Sequence, residues 1–421
     1  MTQLTQKFST QALCTMIRLI MLALFLTLFG ANTALGQIKA YVTNADDLTV
    51  SVIDTTTNTV VATIPASPAP FGIAVTPNGA FVYVTHLGGS TVSVIDAITN
   101  TVIATVPVGL APVAVAITPN GAFAYVTNQF SNTVSVISTA TNTVVSTVPV
   151  GLTPVAVAIT PNGAFAYIAN ADSSTVSVIN TTTNTVVTTL SGMDGPTSLA
   201  VTPNGAFVYV TNLSANDVRV INTATNTIVD SVSVGTGPVG IAITPNGAFA
   251  YVTNARECTV NGTVSVINTA TNTVTTTVSV GLCPQELATN PSGTSVYVPN
   301  AFSDTISVID TATNTVTATI PTGNTPVVVA FSTRIPIVSL IAQVQALVSE
   351  GVFTQKQGDT LIKKLESTQA TFNNGQTKAA CGQLGSFINQ VNAFINNGSL
   401  TRGQAQALID AANAIKTSLG C

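Results

Sequence analysis

The sequence predicts an all-β seven-bladed β-propeller followed by a small all-α helical bundle domain. The tetrad Tyr-Val-Thr-Asn, or a near copy, occurs seven times at intervals of 42 residues, with a last interval of 46. Intervals of this size are typical of propeller blades. Beyond residue 335 the apolar residues follow helical instead of strand spacing. The predicted domains are a signal peptide over 1–36, the propeller over 37–334 and the helical domain over 335–421. The tetrads begin at Tyr41, Tyr83, Tyr125, Tyr167, Tyr209, Tyr251 and Tyr297.

The N-terminal residues have the pattern of a secretory signal peptide. Lys7 and Arg18 precede an apolar run over 19–29, and residues 34–36 fit a small-x-small cleavage site. The run is shorter than the roughly 20 residues that a membrane-spanning helix needs. We therefore expect an exported bacterial protein, secreted or at the cell surface, with no membrane span after cleavage. An uncleaved anchor and a periplasmic location remain alternatives.

Each repeat contains four short strand signals, named a to d, separated by turn signals. A Thr-Pro-Asn-Gly turn joins a to b, and proline and glycine set its geometry. Strand a is almost continuously apolar, which is typical of a strand buried on both faces. The domain begins with a b strand (38–44) and ends with an a strand (326–332). One blade is therefore expected to combine both ends of the domain and to close the ring, which removes open sheet edges.

These motifs resemble the YVTN β-propeller family over roughly residues 38–332. The similarity lies in the tetrads, the Thr-Pro-Asn-Gly-Ala-Phe turns and the Thr-Val-Ser-Val-Ile-Asp type of c strand. The resemblance implies a propeller of the surface-layer or secreted type and no defined activity. Propellers of similar shape also include lactonases, so the fold alone does not decide the function.

Four amphipathic helices with short Gly/Asn links are predicted in the tail. The first ends at Gly351, the third runs over about 377–396, and Thr354 and Thr401 are predicted caps of the second and fourth. Stretches that start at Leu340, Leu361 and Leu400 resemble the FIMAH domain. This resemblance implies an exported multidomain bacterial protein with an interaction role and no chemistry.

The cysteines that remain after signal cleavage are even in number, which suggests disulfides in an exported protein. Three pairings are possible. Sequence order favours one bond within the repeats and one within the tail, and reactive thiols and metal binding are the alternatives. The two favoured pairs are Cys258–Cys283 and Cys381–Cys421.

The loops at one end of the blades vary, whereas the turns at the other end repeat. In an antiparallel blade the b–c and d–a loops share one end, and we place the candidate binding face there. The alternative is that these loops are only solvated. The candidate residues are Asp46, Asp47, His86, Asp194, Arg256, Glu257, Glu286 and Asp304.

Two members of this face differ from their counterparts in other repeats. Glu286 replaces a small residue of the a strands and is predicted at the channel mouth, solvated or paired with Arg256; a catalytic role is the alternative. His86, the only histidine, replaces the asparagine of its tetrad, so a position at the surface or at a strand end is expected. A single histidine leaves no set for a His/Cys metal cluster, and no Gly-x-Ser-x-Gly motif accompanies it. No catalytic residue, cofactor or metal ligand is therefore predicted.

The net charge of −4 and the lack of a basic patch argue against nucleic acid as a partner. The expected function is a non-enzymatic binding or interaction scaffold at or outside the cell envelope. Its expected partner is an unidentified protein or polysaccharide of the envelope. The alternatives are a propeller hydrolase or lactonase-like enzyme and a structural surface-layer component. An enzyme is expected to place two acids, or an acid and a histidine, within hydrogen-bond reach in the channel.

Overall fold

The computed structural model describes residues 38–418 except 67, 98, 256–257, 333–336 and 374–375. The predicted signal peptide lies outside this part of the chain, as do Arg256, Glu257 and Cys421. The chain divides into two compact units, of which one is the propeller, Ile38–Arg334, and the other contains the C-terminal helices.

The propeller is built from short antiparallel strands, most of them six or seven residues long. The predicted first and last strands, 38–44 and 326–332, agree to within one residue with the bounds of the observed strands. In chain order they are β1 (Lys39–Asn44), β2 (Thr49–Asp54), β3 (Thr59–Pro65), β4 (Pro70–Val75), β5 (Phe81–His86), β6 (Thr91–Asp96), β7 (Thr101–Pro107), β8 (Pro112–Ile117), β9 (Phe123–Asn128), β10 (Thr133–Ser138), β11 (Thr143–Pro149), β12 (Pro154–Ile159), β13 (Phe165–Asn170), β14 (Thr175–Asn180), β15 (Thr185–Leu190), β16 (Pro196–Val201), β17 (Phe207–Asn212), β18 (Asp217–Asn222), β19 (Thr227–Ser233), β20 (Pro238–Ile243), β21 (Phe249–Asn254), β22 (Asn261–Asn268), β23 (Thr273–Leu282), β24 (Ala288–Thr289), β25 (Ser295–Asn300), β26 (Thr305–Asp310), β27 (Thr315–Pro321) and β28 (Pro326–Ser332).

These strands form seven four-stranded sheets, which confirms the predicted seven-bladed propeller. Blade 1 has the order β28-β1-β2-β3, so the two ends of the domain share one sheet as the repeat phase predicts. Blades 2 to 7 follow in chain order, from β4–β7 to β24–β27. The first strand of each blade is innermost, and β28 contacts β4 just as β4 contacts β8, which closes the ring.

Neighbouring blades are joined by hydrogen bonds between the repeated tyrosine and asparagine. Tyr167 is fully buried, and its hydroxyl donates to Asn226 Oδ1 in the outer turn of the next blade at 2.8 Å. Asn226 has a positive φ of 52°, a conformation that asparagine tolerates better than most residues. The same contact joins blade 7 to blade 1 through Tyr297 and Asn58 at 2.6 Å. A buried hydroxyl needs such a partner, which explains why both residues recur in the repeat.

The C-terminal unit contains four helices in its described part, as the apolar spacing predicts. They pack around a core of leucine, valine, phenylalanine and alanine side chains. Thr354 caps the second helix: its backbone N–H donates to Gln357 Oε1 at 2.9 Å, and its hydroxyl accepts from the Gln357 N–H at 3.4 Å. No described helix is both long and apolar enough to cross a membrane. The helices are α1 (Ile337–Ser349), α2 (Gln355–Asn373), α3 (Thr377–Asn396) and α4 (Arg402–Ser418).

Candidate functional site

A cavity of about 520 Å³ occupies the centre of the ring. Inner segments of all seven blades line it. Each of these segments begins with a proline. We call the set of residues two positions after these prolines, one from each blade, the channel ring. Most of the lining side chains are apolar or absent, and the polar ones are those of Gln129, Thr197, Ser198, Gln285 and Glu286. The channel ring consists of Gly72, Ala114, Ala156, Ser198, Gly240, Glu286 and Val328.

Glu286 reaches from blade 7 across blade 6 to blade 5. Its Oε1 accepts a hydrogen bond from Ser198 Oγ at 2.6 Å, and its carboxylate also accepts one from the Ile241 backbone N–H. The Glu286 side chain can pass Gly240 because glycine has no Cβ. A Cβ at position 240 would lie 2.8 Å from the Glu286 Cα and 3.0 Å from the Glu286 Oε2, which is too close. The channel ring therefore brings together an acid and a hydroxyl that are 88 residues apart in the chain.

The position of Glu286 sets its proton affinity. The side chain is enclosed by the inner strands, and the surface that it exposes lines the cavity. Burial raises the pKa of Glu286 to about 7, against the opposing effect of the bonds from Ser198 and Ile241. A carboxyl group with such a pKa exchanges its proton near neutral pH, as a general base or acid must. Glu286 thus lines the cavity as a partly enclosed residue, and Arg256, its predicted ion-pair partner, lies outside the described residues.

Ser198 orients the carboxylate. It is only 1% exposed, so its Oγ is poorly placed to attack a ligand in the cavity. Its hydroxyl instead donates to Glu286 and thereby fixes one carboxylate oxygen.

The segment that carries Glu286 departs from the regular inner strand. Only Ala288–Thr289 form a strand in blade 7, whereas the other inner strands have six or seven residues. The Glu286 N–H donates to the carbonyl of Val327 in blade 1 at 3.1 Å. The segment begins at Cys283, which is bonded to Cys258 with the Cα atoms 4.4 Å apart, as predicted. The disulfide thus anchors the reactive segment directly before its channel residues.

The second predicted disulfide concerns the helical unit. Cys381 in α3 is disulfide-bonded. Its predicted partner, Cys421, lies outside the described residues.

Three of the candidate aspartates meet where the ring closes. Asp46 Oδ2 accepts from Thr325 Oγ1 at 2.5 Å, and Asp47 accepts from the backbone and side-chain nitrogens of Asn324 at 2.8 and 2.7 Å. Asp304 Oδ1 accepts from the Thr325 N–H at 3.0 Å. None of the three lines the central cavity. Their contacts hold the segment before β28 against blade 1.

Asp194 lies apart from this cluster. It is exposed, and its backbone N–H donates to Asn212 Oδ1 at 3.1 Å. Among the described residues, no three His, Cys, Asp or Glu side chains lie close enough together to hold a metal ion. The structure thus separates the predicted face into a closure cluster, isolated loop residues and Glu286.

His86 is a buried strand-end residue. Its Nδ1 donates to the Pro68 carbonyl at 2.8 Å, so its Nε2 is the acceptor for Ser93 Oγ at 2.7 Å. In the next blade the tetrad asparagine makes the equivalent contact, from Asn128 Nδ2 to Ser135 Oγ at 2.9 Å. Burial lowers the pKa of His86. Its role is therefore to tie strand b to strand c.

Replacing His86 by asparagine is expected to preserve stability at neutral pH and to remove a loss of stability in acid. When folding lowers the pKa of a histidine, the folded state keeps its full stability at pH values above the ordinary pKa of histidine. It loses stability as the pH falls through the lowered pKa of the folded state. Unfolding by denaturant at pH 7.5 and 5 measures the difference. His86→Ala serves as the contrast and is expected to cost about 1–3 kcal/mol, because Ser93 loses its partner. If the difference in unfolding free energy between the wild type and the asparagine variant does not change with pH, this role is contradicted.

Comparisons with known proteins agree with this architecture. Residues 26–229 match the family model described as a lactonase, 7-bladed β-propeller, and residues 248–371 match a YNCE-like β-propeller model. Residues 337–417 match the FIMAH domain model, as the sequence resemblance implied. No curated protein sequence matches the chain.

Several solved structures share the propeller fold. Hydrazine synthase of Kuenenia stuttgartiensis is 23% identical, with a TM-score of 0.59 over 65% of this chain and 92% of that chain. A protein of unknown function from Desulfotomaculum acetoxidans is 20% identical, with a TM-score of 0.61 over 70% and 98%. A candidate 6-phosphogluconolactonase of Bacteroides uniformis is 18% identical, with a TM-score of 0.60 over 70% and 99%. At these identities the likeness concerns the fold.

The expectation of a non-enzymatic scaffold is wrong. The match of residues 26–229 to the lactonase propeller model supports an enzyme-like propeller better than a scaffold. The sequence indicated a single acid at position 286, whereas ring closure brings Glu286 into hydrogen-bond contact with Ser198. The chain is therefore a seven-bladed β-propeller that is similar to the lactonase propeller model over residues 26–229, followed by a region that matches the FIMAH domain model.

Proposed function

We propose that the propeller hydrolyses a lactone or a similar small ester in its central channel, with Glu286 as the general base. The observation that carries this proposal is the carboxylate of Glu286, held by Ser198 and Ile241 in a mostly apolar cavity. The match to the lactonase propeller model supports the same reaction class. The second expected enzyme feature, another acid or a histidine beside Glu286, does not occur in the described lining.

The reaction requires one base and a polarised carbonyl group. Glu286 takes a proton from a water molecule, the water oxygen bonds to the carbonyl carbon, and the ring C–O bond then breaks. The departing alkoxide receives the proton back from Glu286, and the product is a hydroxy acid. The side-chain amide of Gln129 has no hydrogen-bond partner among the described residues and lines the same cavity. It is a donor for the carbonyl oxygen, where negative charge develops.

We further propose that the chain is exported and works in an oxidising compartment. The Cys258–Cys283 bond supports this, because disulfides persist outside the cytoplasm. The FIMAH match and the predicted signal peptide point in the same direction. The YVTN family name and an envelope partner remain predictions.

Assaying the oxidised full chain against a panel of lactones, by acid release at constant pH, tests the proposal. We expect kcat/KM to rise with pH through about 7, because the base must be ionised. Glu286→Gln is expected to reduce kcat about 100-fold or more. Ser198→Ala is expected to shift the pH profile upwards, since the Ser198 hydrogen bond lowers the pKa of Glu286.

Asp194→Asn, an exposed position outside the cavity, is the matched control and should leave the rate unchanged. Full activity in the folded Glu286→Gln variant would overturn the proposal. So would the failure of the wild-type protein to open any lactone of the panel.

A further inference from the structure

We infer that the channel selects uncharged lactones that carry an alkyl chain over phosphorylated or otherwise anionic lactones. This inference rests on the proposed hydrolysis and names its substrate class. It follows from the charges of the lining, from the apolar walls and from the residues at the open end of the channel.

The described lining excludes anions by its charge. Glu286 is the ionisable residue in it, and no lysine, arginine or histidine side chain joins it there. Arg219, a described cation of the propeller, is instead bonded to Asp217 Oδ2 at 2.8 Å and does not line the cavity. Among the described lining residues, a phosphate or carboxylate would find no cation to replace its hydration, and it would be repelled by Glu286.

The walls favour an apolar substituent. Side chains such as Phe71, Ile73, Leu199 and Leu287 line the cavity around its few polar groups. The volume of about 520 Å³ lies within the range of sites for small molecules. Burying a methylene group from water strengthens binding by about fourfold. The polar groups suffice for one lactone ring, and the remaining wall is suited to an alkyl chain.

Exposed apolar side chains occur at the end of the blades that carries the b–c and d–a loops. Gln129, Leu87 and Ala171 from these loops line the cavity, so the channel opens at this end. We call the exposed residues the apolar rim. Large exposed apolar patches on a protein surface mark binding sites. The apolar rim consists of Leu110 (58% exposed), Phe130 (71%), Leu152 (54%), Leu213 (44%) and Phe302 (60%).

The two regions give the ligand a direction. Glu286 and Gln129 hold the ester group, and the chain extends along the apolar wall towards the rim. Phe130 directly follows Gln129, and its N–H donates to the Leu110 carbonyl at 3.3 Å, which holds these two rim residues together. This adjacency in the chain connects the rim to the cavity lining at Gln129.

The test compares kcat/KM for three lactones with one ring type. These are δ-valerolactone, which has no chain, δ-decalactone, which carries a pentyl chain, and 6-phosphoglucono-δ-lactone, which is anionic. We expect δ-decalactone to exceed δ-valerolactone by at least about tenfold. We expect hydrolysis of the phosphorylated lactone at least about 100-fold below that of δ-decalactone.

The double variant Phe130→Ser/Phe302→Ser is expected to reduce the preference for δ-decalactone severalfold. Val187→Ser, which changes an exposed apolar residue of the outer strand β15, is the matched control and should leave it unchanged. An unchanged preference in the rim variant would overturn the role of the rim and support the rim as a protein-binding surface instead.

Calorimetric binding to Glu286→Gln separates this inference from the proposed hydrolysis. Binding of δ-decalactone without turnover by the wild type would support the ligand class and refute the hydrolysis. Preferred turnover of 6-phosphoglucono-δ-lactone would support the hydrolysis and overturn the ligand class. If δ-decalactone is neither bound nor hydrolysed, the inference is wrong.

Discussion

Replacing Glu286 by glutamine is expected to make the propeller more stable than the wild type above pH 7, by up to about 3 kcal/mol. Burial raises the pKa of this carboxyl group from 4.5 to about 7. Each pKa unit corresponds to about 1.4 kcal/mol, so the ionised form is disfavoured in the folded state by about 3 kcal/mol. Glutamine has nearly the shape of the neutral acid and never ionises.

The sign of the pH dependence follows from the raised pKa. The folded protein binds the Glu286 proton more tightly than the unfolded chain does. The stability that this gives the folded state is fully present below about pH 4.5 and is lost as the pH rises through about 7. The strands packed against Glu286, namely β16, β20 and β28, contain no ionisable side chain, so this step belongs to Glu286. Wild-type stability should therefore fall between pH 4.5 and 8 relative to the variant.

Urea unfolding of the wild type and of Glu286→Gln at several pH values from 4 to 9 measures this step. Asp194→Asn, at an exposed loop position, is the control and should follow the wild type throughout. If the unfolding free energies of the wild type and of Glu286→Gln change with pH in parallel, the carboxylate is solvated in the folded protein. A variant that is more stable but inactive would indicate that the channel retains an unfavourable charge for its chemistry.

The fold could be predicted from the sequence because its information is local and repeated. Each turn, such as the Thr76–Gly79 turn before β5, is set by residues next to one another, and the repeat supplies it again in the following blades. Because the domain begins with a b strand and ends with an a strand, the sequence also predicted that blade 1 contains strands from both ends of the domain. The Tyr167–Asn226 contact could not be read in this way, although both residues recur, because it joins neighbouring blades.

The site was less accessible to sequence reasoning for a physical reason. Glu286 stood out in the sequence because the other a strands carry a small residue there, but Ser198 counted as one of those small residues, and the pairing of the two depends on the missing side chain at Gly240. A glycine in one repeat looks like ordinary variation until the ring places it between two polar residues. Comparing the three as neighbouring members of one ring, and not as members of separate strands, would have indicated the contact.

Removing the Cys258–Cys283 disulfide by a double replacement with serine is expected to cost about 3.5 kcal/mol. The bond closes a loop with a sequence separation of 25, and the chain-entropy estimate for such a loop gives this value. The expected loss exceeds that of an ordinary surface substitution, which usually stays within about 0.5 kcal/mol. Denaturant unfolding of the oxidised wild type and of the variant measures it.

The same replacement is expected to weaken the pH step assigned to Glu286. The disulfide fixes Cys283, and the Gln285 side-chain amide donates to the Cys283 carbonyl at 3.2 Å, so the segment leading to Glu286 is tied to that cysteine. Without the bond the segment can move away from Gly240, the carboxyl group gains water, and its pKa falls towards the ordinary value of 4.5. The stability difference between pH 4.5 and 8 should then shrink, and the pH at which kcat/KM rises should move down.

The matched control is replacement of Cys381 and Cys421 by serine, which changes the helical unit and not the propeller. It should lower the stability of the helices and leave the pH step and the activity profile of the propeller unchanged. If the Cys258/Cys283 variant loses stability but keeps the full pH step, the disulfide stabilises the fold without positioning the base. If the step shrinks only in that variant, the bond fixes the geometry on which the reactivity of Glu286 depends.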